Sequence, residues 1–86
     1  MPDEFEVEIT QEHINGGIRG HCNYCPIANA IRQKFGLTIF GVSVRGALVF
    51  IDRNRYYSKD AADFIASFDT YRPVSPCKLT FRKIIY

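Results

Sequence analysis

The chain contains no uninterrupted apolar stretch near the ~20 residues that a membrane-crossing helix needs. From Phe5 onward its apolar residues alternate with glutamates, unlike the apolar block of a secretory leader. Cysteine is scarce: three residues, an odd number, make a poor disulfide framework, so a reducing, cytoplasmic setting is expected, away from any membrane. Histidine is limited to His13 and His21, and no G-x-S-x-G, Walker-type or G-x-G-x-x-G pattern occurs. Gly16-Gly17 and Gly20 are too sparse for a phosphate loop. No enzyme, catalytic residue or cofactor is therefore expected. Charge of one sign is also missing from each end. No base precedes Arg19, whereas five of the nine acids (Asp3, Glu4, Glu6, Glu8, Glu12) fall in the first twelve residues. Arg72 to Tyr86 carries four bases and no acid.

What is present suffices for one core. Eighty-six residues, 47% hydrophobic and 14% aromatic, exclude intrinsic disorder and fit one α+β domain spanning 1–86. Phe5, Val7 and Ile9 alternate with Glu4, Glu6 and Glu8, which predicts a strand with one buried face. Thr10 can cap a short turn over residues 11–15, ended by Gly16-Gly17. Cys25 stands at an N-cap, Pro26 at the first helical position and Gly36 at the stop, with Ile27, Ala30, Ile31, Lys34 and Phe35 at helical spacing. Residues 39–44 and 47–52 predict a hairpin about Arg45-Gly46, pairing Val44 with Ala47, Val42 with Val49 and Phe40 with Ile51. Arg53-Asn54-Arg55 reads as a polar break. Ser58 can cap a second helix with Ala61, Phe64, Ile65 and Phe68 on one face, and Asp60 and Asp63 suit its dipole. After an extended stretch at Pro73 and Pro76, Cys77, Leu79 and Phe81 alternate in a last strand.

The order β-α-β-β-α-β predicts a four-stranded, antiparallel-rich sheet with two helices on one face, the split βαβ arrangement of ferredoxin-like folds. In that arrangement the first and last strands are antiparallel neighbours, which sets Glu4, Glu6 and Glu8 against Arg82, Thr80 and Lys78. Opposite charges across a sheet are stabilising, so the charge segregation has a structural reading. Leu48 and Phe50 then fall on the charged, helix-free face. Either they form an apolar patch for a partner or a dimer contact, or residues 16–24 or the C-terminal Ile84 and Tyr86 fold over them. The expected contact surface is Leu48 and Phe50 with Arg45, Glu6, Glu8, Lys78 and Arg82.

Four further arrangements of residues could carry chemistry. His21, Cys22 and Cys25, with Cys77 or His13 at a distance, offer one close pair where structural zinc sites use two, so no metal is expected. As a redox pair, Cys22-x-x-Cys25 lacks a preceding core strand, and a buried cap is the plainer role for Cys25. Arg45-Gly46-Ala47-Leu48-Val49-Phe50 lacks the aromatic positions of an RNA-recognition strand. Tyr56, Tyr57, Arg53 and Arg55 form a basic-aromatic cluster, and Arg53, Arg55, Tyr56 and Arg72 make an alternative nucleic-acid or nucleotide site, against the reading of a polar turn with half-buried tyrosines.

Ile14-Asn15-Gly16-Gly17, Cys25-Pro26-Ile27-Ala28-x-Ala30, Ala62-x-Phe64-Ile65-x-x-Phe68-Asp69 and Pro73-Val74-x-Pro76 together resemble a group of small bacteriophage and prophage proteins of unknown function. The resemblance covers about Thr10 to Phe81 and centres on Cys25-Pro26-Ile27-Ala28, which implies that Cys22 is dispensable. It implies a non-enzymatic inhibitor acting in the host cytoplasm on a host defence complex, such as an anti-CRISPR or other counter-defence protein. Nucleic acid is the alternative partner, a second copy of the chain another, and a small thiol or zinc protein the third class.

Overall fold

In the computed structural model, residues 2–38 and 41–84 are described. Period-two alternation makes β1 (Glu4–Ile9), with Phe5, Val7 and Ile9 buried and the three glutamates exposed. Thr10 caps α1 (Gln11–Gly16), its hydroxyl accepting from the His13 backbone N–H. The His13 ring closes the box, Nδ1 accepting from the Thr10 backbone N–H at 2.9 Å. Helix α2 (Pro26–Phe35) has Cys25 as N-cap, Pro26 in its first turn and Gly36 at φ 66 after its end, all as expected. Strands β2 (Val42–Arg45), β3 (Leu48–Ile51) and β4 (Asn54–Tyr57) follow, then α3 (Lys59–Asp69) capped by Ser58, and β5 (Cys77–Lys83).

The sheet has five strands, not four, in the order β1-β5-β4-β3-β2 with every recorded pairing antiparallel. The expected break at Arg53-Asn54-Arg55 is instead a turn of Asp52 and Arg53 leading straight into β4, with Ile51 paired to Asn54. Asp52 adopts φ 53, a left-handed conformation that aspartate tolerates better than most side chains. Because β4 lies between β3 and β5, the ferredoxin-like order, with its parallel central pair, is not adopted. The hairpin turn is Gly46-Ala47 rather than Arg45-Gly46, for Gly46 holds φ 61 at the first turn position. Val44 therefore pairs with Val49 and Val42 with Ile51. Moving a turn by one residue shifts the pairing by two, so each side chain keeps its expected face. Ile39, Phe40 and Tyr86, to which parts of the expected pairing and covering were assigned, lie outside the described residues.

One face of the sheet carries the core. Phe5, Phe81 and Tyr56 meet there, Phe5 stacking on Phe81 at 5.1 Å and meeting the edges of Tyr56 and Phe35 at 4.9 and 5.0 Å. Ile27, Ala28, Ala30 and Ile31 of α2 and Ala61, Phe64 and Phe68 of α3 close over it. The segment from Gly17 to Tyr24 does not cross the opposite face. It runs along the outer edge of β2, where the Val44 N–H donates to the Cys22 carbonyl (2.9 Å) and Asn23 Nδ2 to the Val42 carbonyl (2.7 Å). Arg19 anchors that segment to α3, donating to the Phe68 carbonyl and lying over the Phe68 and Tyr71 rings. Among the described residues no helix is long and apolar enough to cross a membrane.

Gly17 marks the tightest point of this segment: a Cβ there would meet Pro26 Cδ at 2.5 Å, whereas one on Gly16 meets nothing within 4 Å. Gly17→Ala is expected to lower stability by about 1–3 kcal/mol through overpacking against a ring that cannot retreat. Gly16→Ala, at the end of a helix, should leave stability unchanged or raise it slightly. Urea unfolding midpoints of the two variants measure the contrast.

Candidate partner-binding face

Residues that alternate away from the core assemble a face that the helices leave open. The registers pair Arg45 with Leu48, Leu48 with Tyr57, Tyr57 with Arg82 and Arg82 with Glu4, so one row crosses all five strands. A second row runs from Ser43 through Phe50 to Arg55, and Ile84 continues it by donating its N–H to the Arg55 carbonyl at 2.8 Å. Tyr57 is 48% exposed and Leu48 37%, while Phe50 is half-buried. The middle of the face is thus apolar and open to solvent, with arginines around it.

Acids and bases face each other along its far side. Arg82 holds Glu4 through two nitrogens, at 3.1 and 3.2 Å, and Lys78 reaches Glu6 at 3.9 Å. These are exposed pairs worth at most about 1 kcal/mol each. Glu8 sits opposite Lys78 in the register, although the lysine leans to Glu6. All seven expected contact residues lie on this face, but not as one ring. Arg45, Leu48 and Phe50 belong to β2 and β3, whereas Glu6, Glu8 and Lys78 stand where β1 and β5 extend beyond β4. Arg82 connects the halves through Tyr57. Sequence reasoning placed Tyr57, the most exposed apolar side chain of the face, with Arg55 in the other cluster rather than on this face. The residue types Asn54-Arg55-Tyr56-Tyr57 carry no apolar alternation; Arg55 out, Tyr56 in and Tyr57 out emerges only in the structure.

The alternative nucleic-acid cluster is not assembled as expected. Tyr56 is fully buried, its hydroxyl donating to the Pro2 carbonyl at 2.5 Å. Arg53 stands in the β3–β4 turn, Arg55 on the open face and Arg72 beyond the end of α3.

A second region collects the chemically reactive side chains. His21, Cys22, Cys25, Arg45, Ile65 and Asp69 line a cavity of about 190 Å³ between the β2 edge and α3. Asp69 accepts the Gly20 N–H at 3.0 Å, and the Cys22 thiol donates to Asn23 Oδ1 at 3.4 Å. The Cys25 sulfur accepts the Ala28 N–H at 3.5 Å as the α2 cap. Burial pushes its thiol pKa up, against the lowering effect of the helix N–H groups, so the thiolate is disfavoured. Cys77 packs at the end of β5 beside Ile9, and His13 is engaged with Thr10 and Gln33. Neither reaches the cavity lining, and among the described residues no three metal-ligating side chains converge.

Comparisons of the chain with protein-family models, with curated proteins and with solved structures gave no match in any of the three.

The raised Cys25 pKa fixes the sign of a pH effect. Below the ordinary thiol pKa of about 8.5 both folded and unfolded chains keep the proton, and the full stability is present. Above it the unfolded thiol ionises first, so folding weakens as pH climbs through the folded value. Unfolding free energy is expected to fall on the alkaline side, and Cys25→Ser, which keeps a capping oxygen, should flatten that limb. Denaturant titrations across the alkaline range check it.

Proposed function

We infer that this chain is a small non-enzymatic binding protein of the phage type, which blocks a host defence complex by docking its open sheet face on a protein surface. The observation that carries this reading is the row Arg45–Leu48–Tyr57–Arg82–Glu4. It sets an exposed aromatic and an exposed leucine at the centre of the sheet, with arginines on both sides. Interfaces concentrate their energy in such aromatic and arginine positions, where a desolvated centre is surrounded by a polar rim. The partner contact consists of Leu48, Phe50 and Tyr57 with Arg45 and Arg82, and the β1–β5 charge ladder of Glu6, Glu8 and Lys78 forms its rim. The resemblance of the Cys25-Pro26-Ile27-Ala28 helix start and its flanking motifs to phage and prophage proteins supplies the host-defence setting.

A second reading has one observation in its favour. Tyr57 lies on a strand face between arginine-bearing positions, which suits a stacked base as well as a protein side chain. The acids of β1 on the same face weigh against a phosphate backbone there. Retention on single-stranded nucleic acid at low salt, lost by Tyr57→Ala and Arg55→Ala, would favour this second reading.

For the leading reading, the protein produced in bacteria with an active CRISPR system is expected to restore plating of a targeted phage. Tyr57→Asp and Leu48→Asp, at solvent-facing positions, should weaken binding ~30-fold or more, as for interface anchors, and abolish the effect. Circular dichroism and melting temperature should stay at the wild-type values. Full protection of the phage by both variants would remove the open face as the contact.

A further inference from the structure

The two edges of the sheet are treated differently. The outer edge of β2 is occupied by the Cys22 carbonyl and the Asn23 amide. Strand β1 forms the other edge and pairs on one side only, with β5. Which of its groups point outward follows from one bond: the Lys83 N–H donates to the Asp3 carbonyl at 2.7 Å. Residues 3 and 83 are opposite each other in the β1–β5 register, so bonded pairs fall on Phe5, Val7 and Ile9. The N–H and C=O groups of Glu4, Glu6 and Glu8 consequently face away from the sheet. Among the described residues none of these groups receives or gives a further hydrogen bond. Beside this edge lies a groove of about 290 Å³ lined by Val7, Glu8 and Thr10 of the strand and its end and by His13, Ala30, Gln33 and Lys34 of the helices. Edge strands of this length are usually covered or broken, because they template pairing with another chain.

We propose that the free edge of β1 receives an extended basic segment of a partner protein as a sixth, antiparallel strand. Charge selects this occupant. Residues directly opposite Glu4, Glu6 and Glu8 share their face, where Arg82 holds Glu4 at 3.1 Å and Lys78 stands 3.9 Å from Glu6, both pairs exposed to solvent. Lysine or arginine at those positions would meet three carboxylates, and small apolar residues between them would point into the groove. A second copy of the chain is disfavoured by the same charges. Pairing β1 with itself about Glu6 sets Glu6 against Glu6 and Glu4 against Glu8, and like charges directly opposite destabilise a ladder. The main-chain groups of this edge take no part in the open-face docking, although its glutamates form the rim of that contact, so dependence on the main-chain N–H groups of the occupant distinguishes the two.

The test uses the whole protein and a short synthetic peptide of alternating lysine and valine. In the antiparallel register the lysines lie opposite the glutamates, so the lysine N–H groups donate to the β1 carbonyls and the valine N–H groups point away. N-methylation of the lysine amides is expected to weaken binding by about tenfold or more, the equivalent of one or two lost hydrogen bonds. N-methylation of the valine amides should leave it unchanged. Hydrogen exchange should show the Glu6 and Glu8 amides protected only when peptide is present. Equal effects of the two methylation patterns, or no binding at low salt, would overturn the proposal. So would protection of these amides that grows with protein concentration in the absence of peptide, because the occupant would then be a second copy.

Discussion

The pairing of β1 with β5 is the contact on which the rest depends. It joins the two ends of the chain over six register pairs, from Glu4 with Arg82 to Ile9 with Cys77. On the inner side it brings Phe5 against Phe81 and, through them, Tyr56 and Phe35, the aromatic centre over which α2 closes. On the outer side it matches an acidic strand with a basic one. Closing so long a loop costs conformational entropy that no local contact repays, and the buried aromatics supply the offsetting burial. The exposed ion pairs contribute register more than energy, since a slip of one residue would send the glutamates into the core.

From that pairing follows the asymmetry of the molecule. With β5 taken on one side by β1, the meander β2–β3–β4 attaches on the other, and β1 is left as an edge. Both long helices pack on one face, because only that face is apolar throughout. The opposite face is mixed: polar across β1 and β5, apolar at Leu48, Phe50 and Tyr57. A surface that is neither buried nor uniformly polar is suited to a partner that desolvates its centre. The edge beside it offers main-chain groups and carboxylates in place of apolar area. The two surfaces differ in what they offer, side-chain shape in one case and backbone groups plus charge in the other.

Much of this was legible residue by residue. Alternation at Phe5, Val7 and Ile9 and again at Cys77, Leu79 and Phe81 marked both terminal strands. Capping chemistry at Cys25, Pro26 and Gly36 bounded α2, and Ser58 began α3. Even the match of Glu4, Glu6 and Glu8 with Arg82, Thr80 and Lys78 was legible, once the terminal strands were taken as antiparallel neighbours and their opposite charges set side by side. The strand that was missed, Asn54–Tyr57, is short and enters through a turn without glycine, with Asp52 bent into a left-handed conformation instead. A cluster of arginines there resembles a solvated break, because composition does not reveal that every second residue turns inward. Tyr56 was misread for the same reason: nothing in its neighbours says that its ring is enclosed and its hydroxyl tied to Pro2. The fourth strand in turn decided which residues meet on the open face.

By itself, the sequence determined what a clear period or a cap can encode: every strand and long helix apart from β4, and which side of each of those strands is apolar. It determined the sign of charge on the two terminal strands, and hence their preference for each other. Only the tertiary structure decided the strand order, the place of Tyr57 between Leu48 and Arg82, and the burial of Tyr56. It also decided that the segment around Cys22 and Asn23 seals one edge while β1 stays open. The reason is physical: alternation and capping are local, set by each residue and its near neighbours. Adjacency between strands depends instead on which long-range pairing buries the most apolar surface, and no short stretch of chain carries that comparison.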